Sequence, residues 1–427
     1  MHTFESNGAY VRRVIDDDLD ALFPQLPAIL LDGPKAVGKT STAMRRCRDI
    51  VRLDVASQLR VAAAEPDRIC DMGQEPLLID EWQRLPAVWD AVRRAIDEDT
   101  RGGRFLLTGS QPAVSTALHS GAGRITSLRM RPLTLIERRP AEAPVSFAQL
   151  ISGDFTSVCG PSRMTLVDYA DEIIQGGLPG ARHLTGRAHR AFYDSYLELI
   201  VTKEIADAGF HVRHPQKVEA WLRAYAASTA TATSYEKIRN AATVDGGTPA
   251  KSTVITYIEL LSALRILDSV PGWLPSHNRL RRLGRAPKHH LADPALAVRA
   301  LKIKRSDLMR GDTPHTPHEG GLFGALFESL ATLSVKVFAQ SAETDVFHLR
   351  TNNGDHEVDL IAAHPGGIAA IEVKLSATVV DKDVRHLHWL KQKLGDECSS
   401  LIVIHTGPHA YVRPDGVAVV PLALLGS

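Results

Sequence analysis

The sequence predicts an α/β protein with more than one sheet-containing domain. Three observations predict it. Short apolar strands alternate with helices from Ala28 to Thr108. A glycine-rich loop, Gly33-Pro34-Lys35-Ala36-Val37-Gly38-Lys39-Thr40, sits between the first strand and the next helix. A second set of short strands follows a long helical pattern and runs from Val346 to Ile404.

The elements follow in order. Residues 1–20 read as a helix leading into the first domain. Ala28-Ile29-Leu30-Leu31 is a short strand that enters the glycine loop, and Ser41 to Arg48 reads as the helix after it. Val51 to Asp54, Pro76 to Asp80 and Arg104 to Thr108 are three further strands, with a helix around Trp89 to Ile96 before the last. This alternation implies a parallel sheet covered on both faces. Pro, Gly and Ser concentrate between Ala141 and Ser162, which marks a domain boundary near residue 155. Leu166 to Ala208 is helical, broken at Gly176-Gly177-Leu178-Pro179-Gly180, and Lys217 to Ala227 is another helix. Tyr235 to Ala242 and Ser252 to Leu264 are two more, separated by Asp245-Gly246-Gly247-Thr248-Pro249. Thr248 is expected as the N-cap of the second, with Pro249 at its first position. A strand from Arg265 to Val270 would complete a winged-helix pattern. Gly321 to Gln340 reads as a long helix. Val346 to Leu349, Glu357 to Ala362 and Ile368 to Lys374 are strands, with turns at Asn352-Asn353-Gly354-Asp355 and Pro365-Gly366-Gly367. A helix from Val380 to Leu394 and the strand Leu401 to Ile404 close the pattern. The expected domains are 1–155, 156–214, 215–284 and 285–427.

Composition excludes several classes. At 427 residues the chain exceeds one ordinary domain. Its 44% apolar and 23% charged content is that of a globular protein, and a net charge of +1 exerts no global pull on nucleic acid. The four cysteines, Cys47, Cys70, Cys159 and Cys398, lie far apart and form neither a disulfide framework nor a zinc pattern. Asp16, Asp17, Asp18 and Asp20 replace the apolar core that a signal peptide needs. No apolar run approaches the roughly 20 residues that span a bilayer. A cytoplasmic protein with no membrane partner is expected.

The glycine loop fits G-x-x-x-x-G-K-[ST] completely, and it lies between a strand and a helix as that motif requires. Gly33 and Gly38 let the backbone curl so that its N–H groups point at phosphate oxygens. The helix that follows, with Ser41 in its first turn, adds its positive end. Lys39 would neutralise the outer phosphates of ATP, and the Thr40 hydroxyl would ligate Mg²⁺. The apolar strand Leu77-Leu78-Ile79 ends in Asp80 and Glu81. Asp80 is placed to hold the magnesium shell, and Glu81 to act as base toward a water. The strand ending Thr108-Gly109-Ser110 offers a polar group beside the γ-phosphate, with Ser110 preferred. Arg124, after the small residues Gly121-Ala122-Gly123, is a candidate phosphate contact in its own chain or a neighbour's.

Carboxylates in the last domain form a second group. Glu372 and Lys374 are two apart on a strand and project to one face. Asp359 on the neighbouring strand can meet them, and Glu328 on the preceding helix is a fourth candidate. Carboxylates that converge repel one another unless a divalent cation binds them. A nearby lysine would orient the water that attacks a phosphodiester. This is the Asp…Glu-x-Lys arrangement of a metal-dependent nuclease, with Glu328, Asp359 and Glu372 as metal ligands. The alternative is a hairpin with polar residues on its solvated side.

Together these features resemble the bacterial and archaeal AAA-type ATPases that carry a C-terminal domain of unknown function, the DUF4143 group. The resemblance covers nearly the whole chain. Its marks are Gly33 to Thr40, Leu78-Ile79-Asp80-Glu81, Leu107-Thr108-Gly109-Ser110, and Gly123-Arg124 followed by Arg131-Pro132-Leu133. Gly176-Gly177-Leu178-Pro179, Phe327-Glu328, Glu357-Val358-Asp359 and Ile371-Glu372-Val373-Lys374 complete the set. The resemblance implies a P-loop AAA-like ATPase domain, a helical lid, a winged helix and a restriction-endonuclease-like domain of the PD-(D/E)XK kind. Related nucleases often place Gln and Tyr on the next helix, where this chain has His386-Leu387-His388-Trp389-Leu390.

Ten Lys and Arg against Asp293 and Asp307 give residues 279–310 a local charge of about +8, which favours phosphate contact. They are Arg279, Arg281, Arg282, Arg285, Lys288, Arg299, Lys302, Lys304, Arg305 and Arg310; the alternative is a solvated linker or a salt-bridged surface. Lys251, Ser252, Thr253 and Thr256 are candidates to face a DNA groove. His289, His290, His315 and His318 have no acidic or cysteine partner at a fixed spacing and read as loop histidines. The leading expectation is an ATPase that uses Mg²⁺ and couples nucleotide state to DNA binding or processing. The other is a nucleotide-dependent switch that docks a protein partner, with an inactive nuclease-like domain. A homo-oligomer is the setting in which Arg124 would serve a neighbour.

Overall fold

A computed structural model describes residues 10–109, 122–141, 144–207, 210, 214–243, 247–273, 286–310, 321–351 and 354–427. The chain forms two compact units, Met1–Arg131 and Pro132–Ser427.

The first unit is a parallel sheet of five strands. They are β1 (Ala28–Asp32), β2 (Asp49–Arg52), β3 (Leu77–Asp80), β4 (Phe105–Gly109) and β5 (Ile125–Arg129), in the order β2-β3-β4-β1-β5. Strands β1, β3 and β4 are buried along their whole length, as parallel strands covered on both faces must be. The helices are α1 (Val14–Leu22), α2 (Lys39–Met44), α3 (Ala56–Ala64) and α4 (Ala87–Glu98). One face of the sheet presents Leu30, Leu77, Ile79 and Leu107 to Val88, Val92 and Ile96 of α4, with Trp82 and Trp89 packed at 5.0 Å. The sequence pattern did not distinguish β5 or α3. Helix α2 starts two residues earlier than expected and ends four earlier. Beyond its end, Arg46 turns to pair with Asp16 and Asp20 of α1.

The second unit opens with α5 (Leu135–Arg138), β6 (Val145–Ser146) and α6 (Phe147–Ser152). The segment expected as a domain boundary lies inside this unit: Val145–Ser146 pairs with β13 (Leu425–Gly426). Helices α7 (Leu166–Gln175), α8 (Gly186–Leu199), α9 (Ile205–Asp207) and α10 (Pro215–Ala227) follow. Then come α11 (Tyr235–Ala241), α12 (Lys251–Ala263), α13 (Pro294–Ala300), α14 (Arg305–Arg310), α15 (Gly321–Ser341) and α16 (Asp381–Leu394). The remaining strands are β7 (Asp345–Arg350), β8 (Glu357–His364), β9 (Gly367–Lys374), β10 (Cys398–His405), β11 (Tyr411–Val412) and β12 (Ala418–Pro421). They form a mixed sheet in the order β11-β12-β10-β9-β8-β7. Val384, Leu387 and Leu390 of α16 cover one face against Val358, Ile361, Ala370 and Val403. Helix α15 packs against β7 and β9.

Three expectations need correction here. Thr248 is not the cap of α12: its hydroxyl meets Thr243 Oγ1 at 3.1 Å, and the helix starts after Ala250, which is extended. Arg265 to Val270 is not a continuous strand. Arg265 takes φ 61°, and among the described residues the segment makes only the bridges Leu267–Leu291 and Val270–Lys288. An apolar run of bilayer length does exist, at Gly321–Ser341. Its most apolar stretch is 83% buried inside the protein, as the core helix of a globular unit would be.

Candidate functional site

The first site forms at the carboxyl edge of the parallel sheet, where ligands of such sheets bind. Strand β1 ends at Asp32 and hands directly to the loop. Gly33 is required there by contact: a Cβ would stand 2.1 Å from the Met130 carbonyl oxygen. Gly38 adopts φ 99°, which glycine reaches without strain, and precedes α2. Arg13, buried before α1, supports the loop by donating to the carbonyl oxygens of Val37 at 3.0 Å and Arg131 at 2.8 Å.

Lys39 is 7% exposed, and its Nζ donates to the carbonyl oxygens of Gly33 at 2.7 Å and Pro34 at 2.8 Å. Burial lowers its pKa to about 8, against the opposing pull of Glu81, Asp32 and Asp80. Thr40 Oγ1 donates to Asp80 Oδ1 at 2.8 Å, and Thr108 Oγ1 donates to the same oxygen. Strand order explains this meeting. Strand β4 lies between β1 and β3, with Thr108 in register against Asp80, so Thr108 stands beside the acid that Thr40 also reaches. Glu81 adopts φ 56° and ψ 43°, a left-handed conformation uncommon outside glycine that often marks functional positions. Its carboxylate accepts from Gln83 Nε2.

The structure therefore brings Lys39, Thr40, Asp80 and Glu81 together. Ser41 follows in α2 with an exposed side chain. Ser110 lies outside the described residues, and the polar group that meets Asp80 is Thr108. Thr108 stood in the same expected motif, Leu107-Thr108-Gly109-Ser110, as the last but one residue of β4. Arg13 and Gln83 carried no signal at all.

Arg124 is not beside the loop of its own chain. Ile125 is in register with Ala28, so Arg124 sits at the amino edge of the sheet and pairs with Asp97. The glycine loop begins six residues farther along, about 20 Å at the rise of a strand.

The second site lies wholly within the second unit. Strands β8 and β9 are antiparallel, and the register that pairs Leu360 with Ile371 sets Asp359 across from Glu372. Val373 N–H donates to Asp359 Oδ2 at 2.9 Å, and Lys374 Nζ donates to Glu372 Oε2 at 2.8 Å. Glu372 is 3% exposed, and its Oε1 is buried without a hydrogen-bond partner among the described residues. Glu328 reaches the group from α15. A second cation among these acids, besides Lys374, is Lys288, only 1% exposed. Its Nζ lies 2.6 Å from Glu328 Oε1, 2.8 Å from Asp359 Oδ1 and 3.4 Å from Glu357 Oε1.

Burial sets the charge states here. It raises Glu328 to about 8, and the nearby Asp359 adds to that rise, so that together they outweigh Lys288. Glu372 is raised well above the usual range by burial and by Asp359. Burial would raise Asp359 too, but Lys288, Lys374 and the Val373 N–H hold it far below the usual carboxylate range. Among the described residues no group of three His, Cys, Asp or Glu is arranged to hold a metal ion. Glu328 and Asp359 instead meet a cation of the chain itself, Lys288, from the basic run that the sequence offered for phosphate contact.

That run is partly consumed in the same way. Arg299 pairs with Asp194, and Arg305 lies 3.1 Å from Asp171. Lys302, Lys304 and Arg310 are exposed, while Arg279, Arg281, Arg282 and Arg285 lie outside the described residues. Lys251 lies 3.5 Å from Glu236, and the Thr256 hydroxyl bonds back to the Ser252 carbonyl oxygen of its own helix. His289 and His290 are buried rather than looped out, with His289 Nε2 2.7 Å from the Thr233 carbonyl oxygen; His315 and His318 lie outside the described residues. His386 and Trp389 of α16 meet His356, whose ring stacks on Trp389 at 3.9 Å.

Comparison with known proteins matches three stretches of the chain. Residues 25–138 match the model of an AAA domain, which marks the first unit as ATPase-like. Residues 166–307 and 323–425 match two domains of unknown function, DUF8612 and DUF4143. The chain is 24% identical over 410 residues to the uncharacterized proteins Mb2031c of Mycobacterium bovis and Rv2008c of Mycobacterium tuberculosis, covering 92% of itself and 80% of each. Among solved structures it is similar to the Walker-type ATPase PABY2304 of Pyrococcus abyssi. That match has 15% identity and a TM-score of 0.41, covering 67% of this chain and 94% of the other.

Proposed function

We propose that the protein binds ATP at Gly33 to Ser41 and hydrolyses it. The observation that carries this reading is the meeting of Thr40, Asp80 and Thr108 beside the buried Lys39, at the edge of a parallel sheet. These residues fit a nucleotide: a buried ammonium faces the loop carbonyls, and a hydroxyl is already bonded to a carboxylate. Thr40 and Asp80 would hold Mg²⁺, which supplies positive charge to the phosphates. Glu81 takes the proton of the water whose oxygen bonds to the γ-phosphorus as the bridging bond to ADP breaks.

Phosphate release by the full chain tests this. Glu81→Gln is expected to bind ATP within a few-fold of wild type while turnover falls about 100-fold, the usual worth of a positioned base. Turnover at the wild-type rate would remove Glu81 from that role. Thr108→Val, which deletes one donor to Asp80, is expected to slow turnover about tenfold, in line with loss of one hydrogen bond to a charged group. An unchanged rate would make Thr108 a structural residue only.

The output of turnover is proposed as DNA binding through the second unit, whose exposed Lys302, Lys304 and Arg310 remain available to phosphates. A filter-binding assay is expected to show ATP-dependent, salt-sensitive retention of duplex DNA. No retention with or without ATP would end that reading. A second reading is favoured by Lys288. An ammonium inside the carboxylate cluster suits a nuclease-like module that does not cut at rest, and that serves as a nucleotide-dependent switch for a protein partner. On that reading, wild type does not nick plasmid in Mg²⁺. Nicking that disappears in Asp359→Ala would instead establish an active nuclease with Glu372 and Lys374.

A further inference from the structure

Glu81 has a neighbour to which the ATPase reading gives no role. Strand β3 ends at Asp80, and Glu81 turns left-handed to open the tight turn Trp82–Arg84. Arg84 N–H closes that turn on the Glu81 carbonyl oxygen at 3.0 Å, and Leu85 N–H on the Trp82 carbonyl oxygen at 3.0 Å. Trp82, only 2% exposed, anchors the turn in the core of the first unit. Gln83 therefore projects from a rigid stem, and its amide folds back so that Nε2 donates to Glu81 Oε2. A carboxylate can only accept, so the amide nitrogen is the atom that must face it. Among the described residues this is the one hydrogen bond to the Glu81 carboxylate.

The other end of the amide meets β4. Gln83 Oε1 is buried with no hydrogen-bond partner among the described residues, and it lies against Gly109, where a Cβ would collide with it. Gly109 follows Thr108, the residue that bonds Asp80. Glycine at this strand tip thus leaves room for the amide that holds Glu81. The held carboxylate already acts on the phosphate end of the site: it pulls on the Lys39 ammonium more strongly than Asp32 or Asp80 does.

We propose that Gln83 is a positioning residue for ATP hydrolysis, which pins one oxygen of Glu81 so that the other is presented to the attacking water. The inference rests on the reading of Glu81 as the base and adds how that base is aimed. A free glutamate side chain would have to be ordered in every turnover, and the amide orders it beforehand. Gln83 touches Glu81 rather than the substrate, so it acts only through that carboxylate.

Phosphate release and ATP binding by the full chain test this, with circular dichroism to follow the fold. Gln83→Ala is expected to lower kcat about 10- to 100-fold, the usual loss for a hydrogen bond to a charged group, with KM unchanged. In the Glu81→Gln background the same substitution is expected to cost almost nothing, because the carboxylate it aims is gone. Gly109→Ala keeps both side chains and displaces the amide, so it is expected to slow turnover as Gln83→Ala does; it serves as the test if Gln83→Ala fails to fold. Wild-type turnover by Gln83→Ala, with Glu81→Gln slow, overturns the positioning and leaves Glu81 as the base. Faster turnover also overturns it, since the amide would then restrain Glu81. An equal loss with and without the Glu81 carboxylate shows a structural role and overturns it as well. Wild-type turnover by Glu81→Gln removes the base itself, and the proposal falls with it.

Discussion

Lys39→Ala is expected to lower ATP turnover by 100-fold or more, to the level of the assay blank. Removing a preorganised donor from a site of developing charge costs about 10²–10³ in rate, and here the donor is a buried full charge. The loss should not be a folding defect. Burial depresses the Lys39 pKa to about 8, so the folded unit holds the charged form at a disadvantage. Between that value and the unfolded 10.5 the unfolded chain binds more protons, and stability rises with pH across the window. Below it the penalty is fully present. The alanine variant is therefore expected to melt no lower than wild type at pH 7. Phosphates restore the ammonium, so at pH 8 ATP binding should take up about half a proton, on the titration arithmetic of a group near its pKa. Calorimetry in two buffers of different ionisation enthalpy measures this, and Lys39→Ala should show no uptake through that group. Turnover that survives the substitution would refute the loop as the catalytic site.

Lys288→Met is expected to destabilise the second unit by about 3–5 kcal/mol, the usual cost of removing one partner from a buried ion pair. Thermal unfolding at pH 7 reads it. The cost comes mainly from Asp359, which stays ionised in wild type because Lys288 and Lys374 outweigh its burial. Glu328 contributes less, since at a pKa of about 8 it carries its proton for most of the time at neutral pH. The pH dependence distinguishes the two acids. In wild type the depressed Asp359 supports the fold above its unfolded pKa, and that support is lost as pH falls through the acid range. In Lys288→Met the folded carboxyls take up protons above their unfolded values, so stability should rise as pH falls from 7 towards 5. Lys288→Met with Asp359→Asn should recover part of the loss, because the stranded charge is then gone. A Lys288→Met protein as stable as wild type would show that the cluster is solvated.

The nucleotide loop was legible because its chemistry is local. Gly33, Gly38, Lys39 and Thr40 act through the backbone of one turn, and eight consecutive residues contain the whole signal. The strand before it and the strand ending in Asp80-Glu81 were legible by the same logic, since continuous apolar runs ending in acids point to the edge of a buried parallel sheet. The hairpin of Asp359 and Glu372 was legible from alternation alone. The strand expected from Arg265 to Val270 did not form. Arg265 turns to a positive φ, and the chain then makes bridges with residues more than 15 positions away, which no local pattern records.

What the sequence by itself determined is therefore the pair of elements on which each site is built, because strand alternation and glycine geometry are short-range. Only the tertiary structure decided which charges meet. Strand order put Thr108 on Asp80 and carried Arg124 to the opposite edge of the sheet. Folding also drew Lys288 out of a basic run that the sequence offered for phosphate contact and into the carboxylates of Glu328 and Asp359. The physical reason is the same in each case: a charge taken out of water must find its counter-charge wherever the chain brings one, and that distance is measured through space rather than along the sequence.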